Sequence, residues 1–191
     1  MRYAPKHKAE THARIVQDAA RRVRSEGIGG AAVSSVMRDA GLTHGGFYKH
    51  FQSKDALLIE SLREAFREIS ERLTHAAASA KRETAWKTVV TTYLSPEHCD
   101  HAELGCPLAA LAPELARTGK PMKAALLEEL TKYKDQMLPF MPGRTGAAKE
   151  RAFFAIFSTM IGALSIARVL PSPALRAQVL DTARDFLFDS F

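Results

Sequence analysis

At 191 residues, 46% of them apolar, the chain is long enough to bury a core unaided, and Cys99 and Cys106 are too few for a disulfide framework. The formal charge of +6 lies wholly in the first quarter: residues 1–54 hold ten Lys and Arg against four acidic residues, and residues 55–191 hold 17 of each sign. The scarce cysteines, a basic polar start at Met1–Glu10 in place of a secretory signal, and a longest apolar run of only 16 residues (152–167) lead us to expect a cytoplasmic protein with no membrane span.

In chain order, Lys8 to Glu26 reads as a helix, with Ile15, Val16, Ala19, Ala20 and Val23 on one face and the arginines elsewhere. Gly27, Gly29 and Gly30 should end it. A short second helix spans Ser34 to Ala40 and stops at Gly41 in the C′ position. Thr43 is placed to cap a third short helix running to about His50, and Ser53 to cap a long one from Lys54 to about Ala80. Beyond that, prolines punctuate. A helix from about Glu83 ends before Pro96, and a polar loop fills 97–105. Pro107 opens a helix that Pro113 should kink or split. The next helix runs from Met122 to Leu138, and the last two are Ala147–Leu170 and Pro173 to about Asp189. With no strand-like alternation anywhere, the fold class is all-α, with about nine helices.

The segment from Val36 to Leu57 carries the chemistry. Two short helices joined by a tight turn at Gly41 form a helix-turn-helix, with Val36, Ala40, Leu42, Phe47 and Phe51 as its small core. The third helix would expose Thr43, His44, Gly45, Tyr48 and Lys49, and its N-terminus offers free N–H groups to phosphate. Gly45 and Gly46 each cost roughly 1 kcal/mol inside a helix, which makes sense if the backbone approaches a DNA edge closely. A basic patch alone is usually a solvated face; together with this motif it points to DNA.

The run Ala-Gly-Leu-Thr-His-Gly-Gly-Phe-Tyr-Lys-His-Phe-Gln-Ser-Lys-Asp-Ala-Leu resembles the signature of TetR-family transcriptional regulators over residues 10–58. The resemblance implies phosphate contacts from Ser34, Thr43, Tyr48, His50 and Lys54, and base contacts from His44, Gly45 and Lys49. It also implies a helix-turn-helix domain at 1–53 and a dimerisation and effector-sensing domain at 54–191. The partners implied are double-stranded DNA with a near-palindromic operator, a second copy of the chain, and a small-molecule effector. Ala32 departs from the pattern, since a hydroxyl residue usually caps the second helix; Ser34 or water must serve there. In the body, Gly105-Cys-Pro-Leu-Ala-Ala-Leu is similar to a segment in a subgroup of these regulators. Helices between Leu57 and Leu138 would then enclose a cavity, with Phe66, Trp86, Tyr93, Leu111, Met122, Tyr133 and Met137 as candidate lining, although a Met or aromatic stripe at helical spacing is more often plain core.

Pro107 at a first helical position places Cys106 at or beside the N-cap, where the helix dipole favours a thiolate. Cys106 is therefore a candidate sensing thiol, with Cys99 as resolving partner, or else a small buried residue at a turn. His98, Cys99, His101 and Cys106 match no zinc spacing, so neither metal nor cofactor is expected. An enzyme using Cys106 with a nearby histidine would leave the basic domain unexplained, and a nonspecific architectural DNA binder would leave the large neutral body unexplained. The last two helices should pair with those of a second chain through Ala155, Ser158, Gly162 and Ala163 and a stripe of Leu175, Val179, Ala183 and Phe186.

Overall fold

A computed structural model describes residues 5–30 and 32–191, the side chains of Pro5, Lys6 and His44 excepted. Nine α-helices appear among the described residues: α1 (Pro5–Gly30), α2 (Val33–Asp39), α3 (Lys54–Ala78), α4 (Ala85–Tyr93), α5 (Pro96–Asp100), α6 (Pro107–Leu115), α7 (Lys120–Met137), α8 (Gly146–Val169) and α9 (Pro173–Ser190). The all-α expectation holds.

Caps and prolines set the boundaries much as the sequence suggests. The hydroxyls of Ser53, Ser95, Thr145 and Ser172 each accept the backbone N–H three residues on. Prolines open α5, α6, α7 and α9, where a missing N–H costs nothing. Gly41, at φ +70°, turns the chain out of α2, and Gly27, at φ +77°, breaks α1 before a last short turn to Gly30.

Three expectations are corrected. The segment after Pro96 is not a polar loop: Ser95 caps α5, and a 3-10 turn at Ala102–Leu104 follows. Pro113 does not divide α6. The carbonyl its missing N–H would have served, that of Ala109, accepts instead from the Ser165 hydroxyl of α8 at 3.1 Å. The arginines of α1 are not all on its outer side. Arg24 is 3% exposed, paired with Glu68 of α3 at 2.5 Å.

Helix α3 is the hub. Leu57, Leu58 and Leu62 near its start meet the head formed by α1, α2 and the turn after them, while Phe66, Ile69 and Leu73 meet α4 and α7. Helices α8 and α9 pair at the far side. By length and composition α8 could cross a membrane, yet Phe153, Ile156, Phe157, Met160 and Leu164 form one wall of the bundle. Its other face is open. Phe154 is 50% exposed and Val169 79%, and Leu175 and Phe186 of α9 are exposed beside Val179.

Candidate nucleic-acid interface and sensing site

The head is built on a small apolar core. Val36, Met37, Ala40, Phe47 and Phe51 are buried against Ile15, Val16 and Ala19 of α1, with the Phe47 and Phe51 rings stacked 5.4 Å apart. Leu42, expected in this core, is half-buried at its edge. The third helix is a 3-10 helix, His44–Lys49, rather than an α-helix, as a Gly-Gly pair at its centre allows.

Thr43 stands at its N-cap, exposed, but its hydroxyl makes no capping bond and stays available to a partner. Gly45 is exposed with nothing within 4 Å of where a Cβ would be, so the backbone surface there is bare. Tyr48 projects with 71% exposure, and Lys49 is exposed beside it. Lys54 is exposed in the first turn of α3 and Ser34 in the first turn of α2. Neither Ala32 nor Ser34 supplies a side-chain cap to α2. The side chain of His44 lies outside the described residues.

His50 is half-buried, with its Nδ1 turned inward and unpartnered. Burial first, then the positive neighbours His12, Lys8 and Lys49, hold its pKa below the ordinary imidazole value. A groove of about 440 Å³ runs between the start of α1 and the 3-10 helix, lined by His7, Lys8, Thr11, Thr43, Lys49 and His50 among others. Lys8 belongs to this face and was missed by the motif, which begins at residue 10. Three other basic residues of the head are structural. Arg14 donates to the Ala40 carbonyl at 3.1 Å, Arg22 pairs with Asp39, and Arg24 is internal.

In the body, the expected common cavity is divided. Phe66 and Tyr133 line an open cleft of about 570 Å³ between α3 and α7, with Ser70, Gln136 and a charged rim. Trp86 lines a separate surface recess with Phe140 and Phe191. Leu111 and Met122 border a gap of about 10 Å³, nearly filled, and Tyr93 and Met137 are fully buried and open onto none of these.

Cys106 is the N-cap of α6, as its neighbour Pro107 indicated, and is 1% exposed. Cys99 is also buried, and burial pushes its thiol pKa up, which does not suit a resolving thiol. His98 is committed at both nitrogens. Nδ1 lies 2.7 Å from the Tyr93 carbonyl and Nε2 accepts the Cys106 backbone N–H at 3.0 Å, so the ring is the Nδ1–H tautomer and neutral. Burial pushes its pKa down to about 3, the Tyr93 bond opposing. It therefore forms no acid–base pair with the Cys106 thiol, and its nitrogens are not free for a metal. His101 pairs with Glu103 at 3.0 Å. Gly105 leaves room that a Cβ would fill: it would lie 2.6 Å from Arg168 Nη2 and 2.9 Å from His98 Nε2.

Head and body are fastened along α6. Arg24 Nη1 donates to the Gly105 carbonyl at 3.2 Å, just before the helix starts. Near its end, Glu114 accepts the Ile28 N–H at 2.9 Å. A Cβ on Gly27 would sit 2.7 Å from that carboxylate, so glycine serves both the turn and the contact.

Residues 15–60 match the family profile described as bacterial regulatory proteins, tetR family. No curated protein matches the chain. Among solved structures, a TetR transcriptional regulator from Chloroflexus aurantiacus is similar at 24% identity and a TM-score of 0.78, covering 95% of this chain and 94% of that one. The reduced form of NemR from E. coli is similar at 15% identity and 0.77, covering 94% and 96%. FadR from Bacillus subtilis, in complex with stearoyl-CoA, is similar at 16% and 0.70, covering 94% and 98%. At these identities the likeness establishes the fold.

Proposed function

We propose that this chain is a DNA-binding transcriptional regulator of the TetR family, a repressor that leaves a near-palindromic operator when a signal reaches its body; the profile match over residues 15–60 and the shared fold support this. In this reading residues 1–53 are the reading head and 54–191 the dimerising, sensing body. Thr43, Tyr48, Lys54, Ser34 and His50 hold phosphates, with Lys8 added to them, while His44, Gly45 and Lys49 face bases. Two copies join through the open faces of α8 and α9, putting their recognition helices in successive major grooves about 34–36 Å apart or a multiple of that.

The observation that carries the regulatory reading is the double fastening of α1 to α6. A displacement of α6 cannot leave Arg24 and Ile28 where they are, so it tilts the head and spoils the spacing of a dimer on DNA. Two kinds of signal suit the body. One is a small molecule, as FadR of Bacillus subtilis holds stearoyl-CoA. The other is an electrophile or oxidant at Cys106, the subgroup reading, with E. coli NemR described in a reduced form. With Cys106 1% exposed, a reagent reaches it only as the body opens.

Selection and sequencing of DNA fragments bound by the purified protein tests the operator: inverted repeats support the reading, and binding without sequence preference defeats it. Comparing wild type with Cys106→Ser after peroxide or a maleimide tests the thiol. Loss of operator binding in wild type alone supports Cys106; identical behaviour removes it and leaves the noncovalent signal. Light scattering that returned a monomer at micromolar concentration would overturn the dimer.

A further inference from the structure

Of the six buried side-chain atoms without a hydrogen-bond partner among the described residues, five belong to four residues of the body: Arg72 Nε and Nη2, Arg168 Nη1, Tyr93 Oη and Tyr133 Oη. Buried polar groups in folded proteins are nearly always paired, so five donors left bare together require an explanation. These residues lie on α3, α4, α7 and α8, so no single element brings them together.

Their neighbourhood is one place. Three of the four surround the turn before α6: Arg72 Nη1 holds the Leu104 carbonyl at 3.2 Å, Arg168 Nη2 holds the His98 carbonyl at 2.7 Å, and the Tyr93 ring lies 4.6 Å from the His98 ring, which accepts the Cys106 N–H. The aromatic side is continuous as well. The Tyr133 ring lies 5.1 Å from Phe157 and 6.0 Å from Phe66, and Tyr93 lies 6.3 Å from Phe157.

The charge is unanswered. Arg24, the third inward guanidinium, has its carboxylate in Glu68 at 2.5 Å. Arg72 and Arg168 have no ion pair among the described residues. Glu97 and Glu103 act on them only from a distance, and Glu103 is engaged with His101. Arg168 grips the carbonyls of Cys99 (3.2 Å) and His98 (2.7 Å) through Nε and Nη2. Arg72 uses only Nη1, on the Leu104 carbonyl at 3.2 Å. Its bare atoms, Nε and Nη2, are the two that form the side-on fork of a guanidinium, the edge that pairs with a carboxylate through two parallel bonds. A water molecule could satisfy a hydroxyl, but it would not neutralise two half-buried guanidiniums.

We infer that Arg72, Arg168, Tyr93 and Tyr133 form an internal binding site for the carboxylate of a small organic acid with an apolar or aromatic body. The fork of Arg72 takes both carboxylate oxygens, whose remaining lone pairs accept from the two phenols and Arg168 Nη1. The body of the acid lies against Tyr133 and Phe66, which line the cleft between α3 and α7, and its carboxylate reaches Tyr93, closed off from that cleft, only as the body of the protein opens. Gly105 belongs to the same construction, since a side chain there would displace Arg168 and His98. This deepens the effector reading above by naming the ligand's chemistry, but binding is measured without DNA, so the two stand or fall separately.

The test is titration calorimetry on the full-length protein with benzoate, phenylacetate and hexanoate. Benzamide serves as the neutral isostere, and inorganic phosphate and chloride as the competing anions. At least one carboxylate should bind, while benzamide and chloride do not. Arg72→Gln should weaken it by about a hundredfold, and Tyr93→Phe and Tyr133→Phe by about tenfold each, as expected for lost bonds to a charged acceptor. The Tyr133 hydroxyl has no partner to lose and the Tyr93 hydroxyl only the neighbouring Cys106 thiol, a weak acceptor, so the phenylalanine variants should melt close to wild type, which keeps the test free of misfolding. Binding of none of the three acids at millimolar concentration, equal binding of benzamide, or preference for phosphate overturns the proposal. So does undiminished carboxylate binding by the Tyr93→Phe, Tyr133→Phe double variant. If a carboxylate binds but the operator is not released, this site stands and the release reading fails.

Discussion

In the reading head the polar groups we assign to DNA lie outside a small apolar core, whereas in the body those we assign to an acid lie at the edge of or within one. Tyr48, Lys49 and Lys54 stand exposed to water, so displaying them costs little stability. Arg72, Arg168, Tyr93 and Tyr133 have already lost most of their water, without replacement bonds for five of their atoms. The head therefore keeps a charged surface ready for a polymer that is always present. The body holds an unfinished arrangement, which gains most when something completes it.

Removing the head's core should break this comparison most sharply. Phe47 is 2% exposed and stacks on Phe51, so Phe47→Ala should cost about 3–5 kcal/mol in the head and abolish operator binding. The body should keep its own cooperative transition, seen by urea unfolding followed through Trp86. Loss of both together would show that head and body fold as one unit.

The second effect is on pH. His98 is held at about 3, so as pH falls below the ordinary imidazole value the unfolded chain takes up the proton before the folded one. Stability is therefore whole above about pH 6.5 and falls toward pH 3, at up to about 1.4 kcal/mol per unit. Urea midpoints for wild type and His98→Asn check this. The variant should lose most of the slope, keeping a smaller part from His50, which is also held low. An unchanged slope would place the proton elsewhere.

Weaker again is the fastening. Glu114→Gln keeps an acceptor for the Ile28 N–H but removes its charge, and should cost about 1 kcal/mol. Hydrogen exchange at Ile28 should quicken while that at Leu73 does not change. Equal change at both sites would mean that Glu114 serves the whole fold rather than the joint. Smallest, Lys54→Ala should weaken binding to all DNA sequences alike and lower the salt slope by about one. A changed base preference with an unchanged slope would remove Lys54 from the phosphate contacts.

Much of the head was legible because its signals are local. Gly41 at positive φ, Ser53 as a cap, and Phe47 and Phe51 as core all follow from spacing within a few residues. Thr43 was placed correctly, but its hydroxyl makes no capping bond, since the turn it begins is a 3-10 turn through two glycines. The body was legible in outline through its prolines and caps. Its polar interior was not, because residues 72, 93, 98, 106, 133 and 168 share no period and meet only in the fold. The arginines made this harder to see. On a helix they read as solvent-facing, and nothing local marks Arg24, Arg72 or Arg168 as turned inward. Lys8 was missed for a plainer reason: it lines the groove beside the 3-10 helix and lies ahead of the motif.

The open face shared by α8 and α9, with Phe154, Ile166, Val169 and Phe186 exposed, has a consequence for inheritance. The pairing proposed through that face would take no account of whether the head at the other end of the chain works. On the dimer and operator proposed above, a cell that makes both wild-type chains and chains with a ruined head would fill its dimers at random, and only pairs with two sound heads would grip both halves of an operator. At equal expression that is about a quarter of the dimers, by the symmetry of two-fold pairing. Head mutations such as Phe47→Ala would therefore be dominant wherever the altered body still folds, while mutations that spoil the α8–α9 face would be recessive.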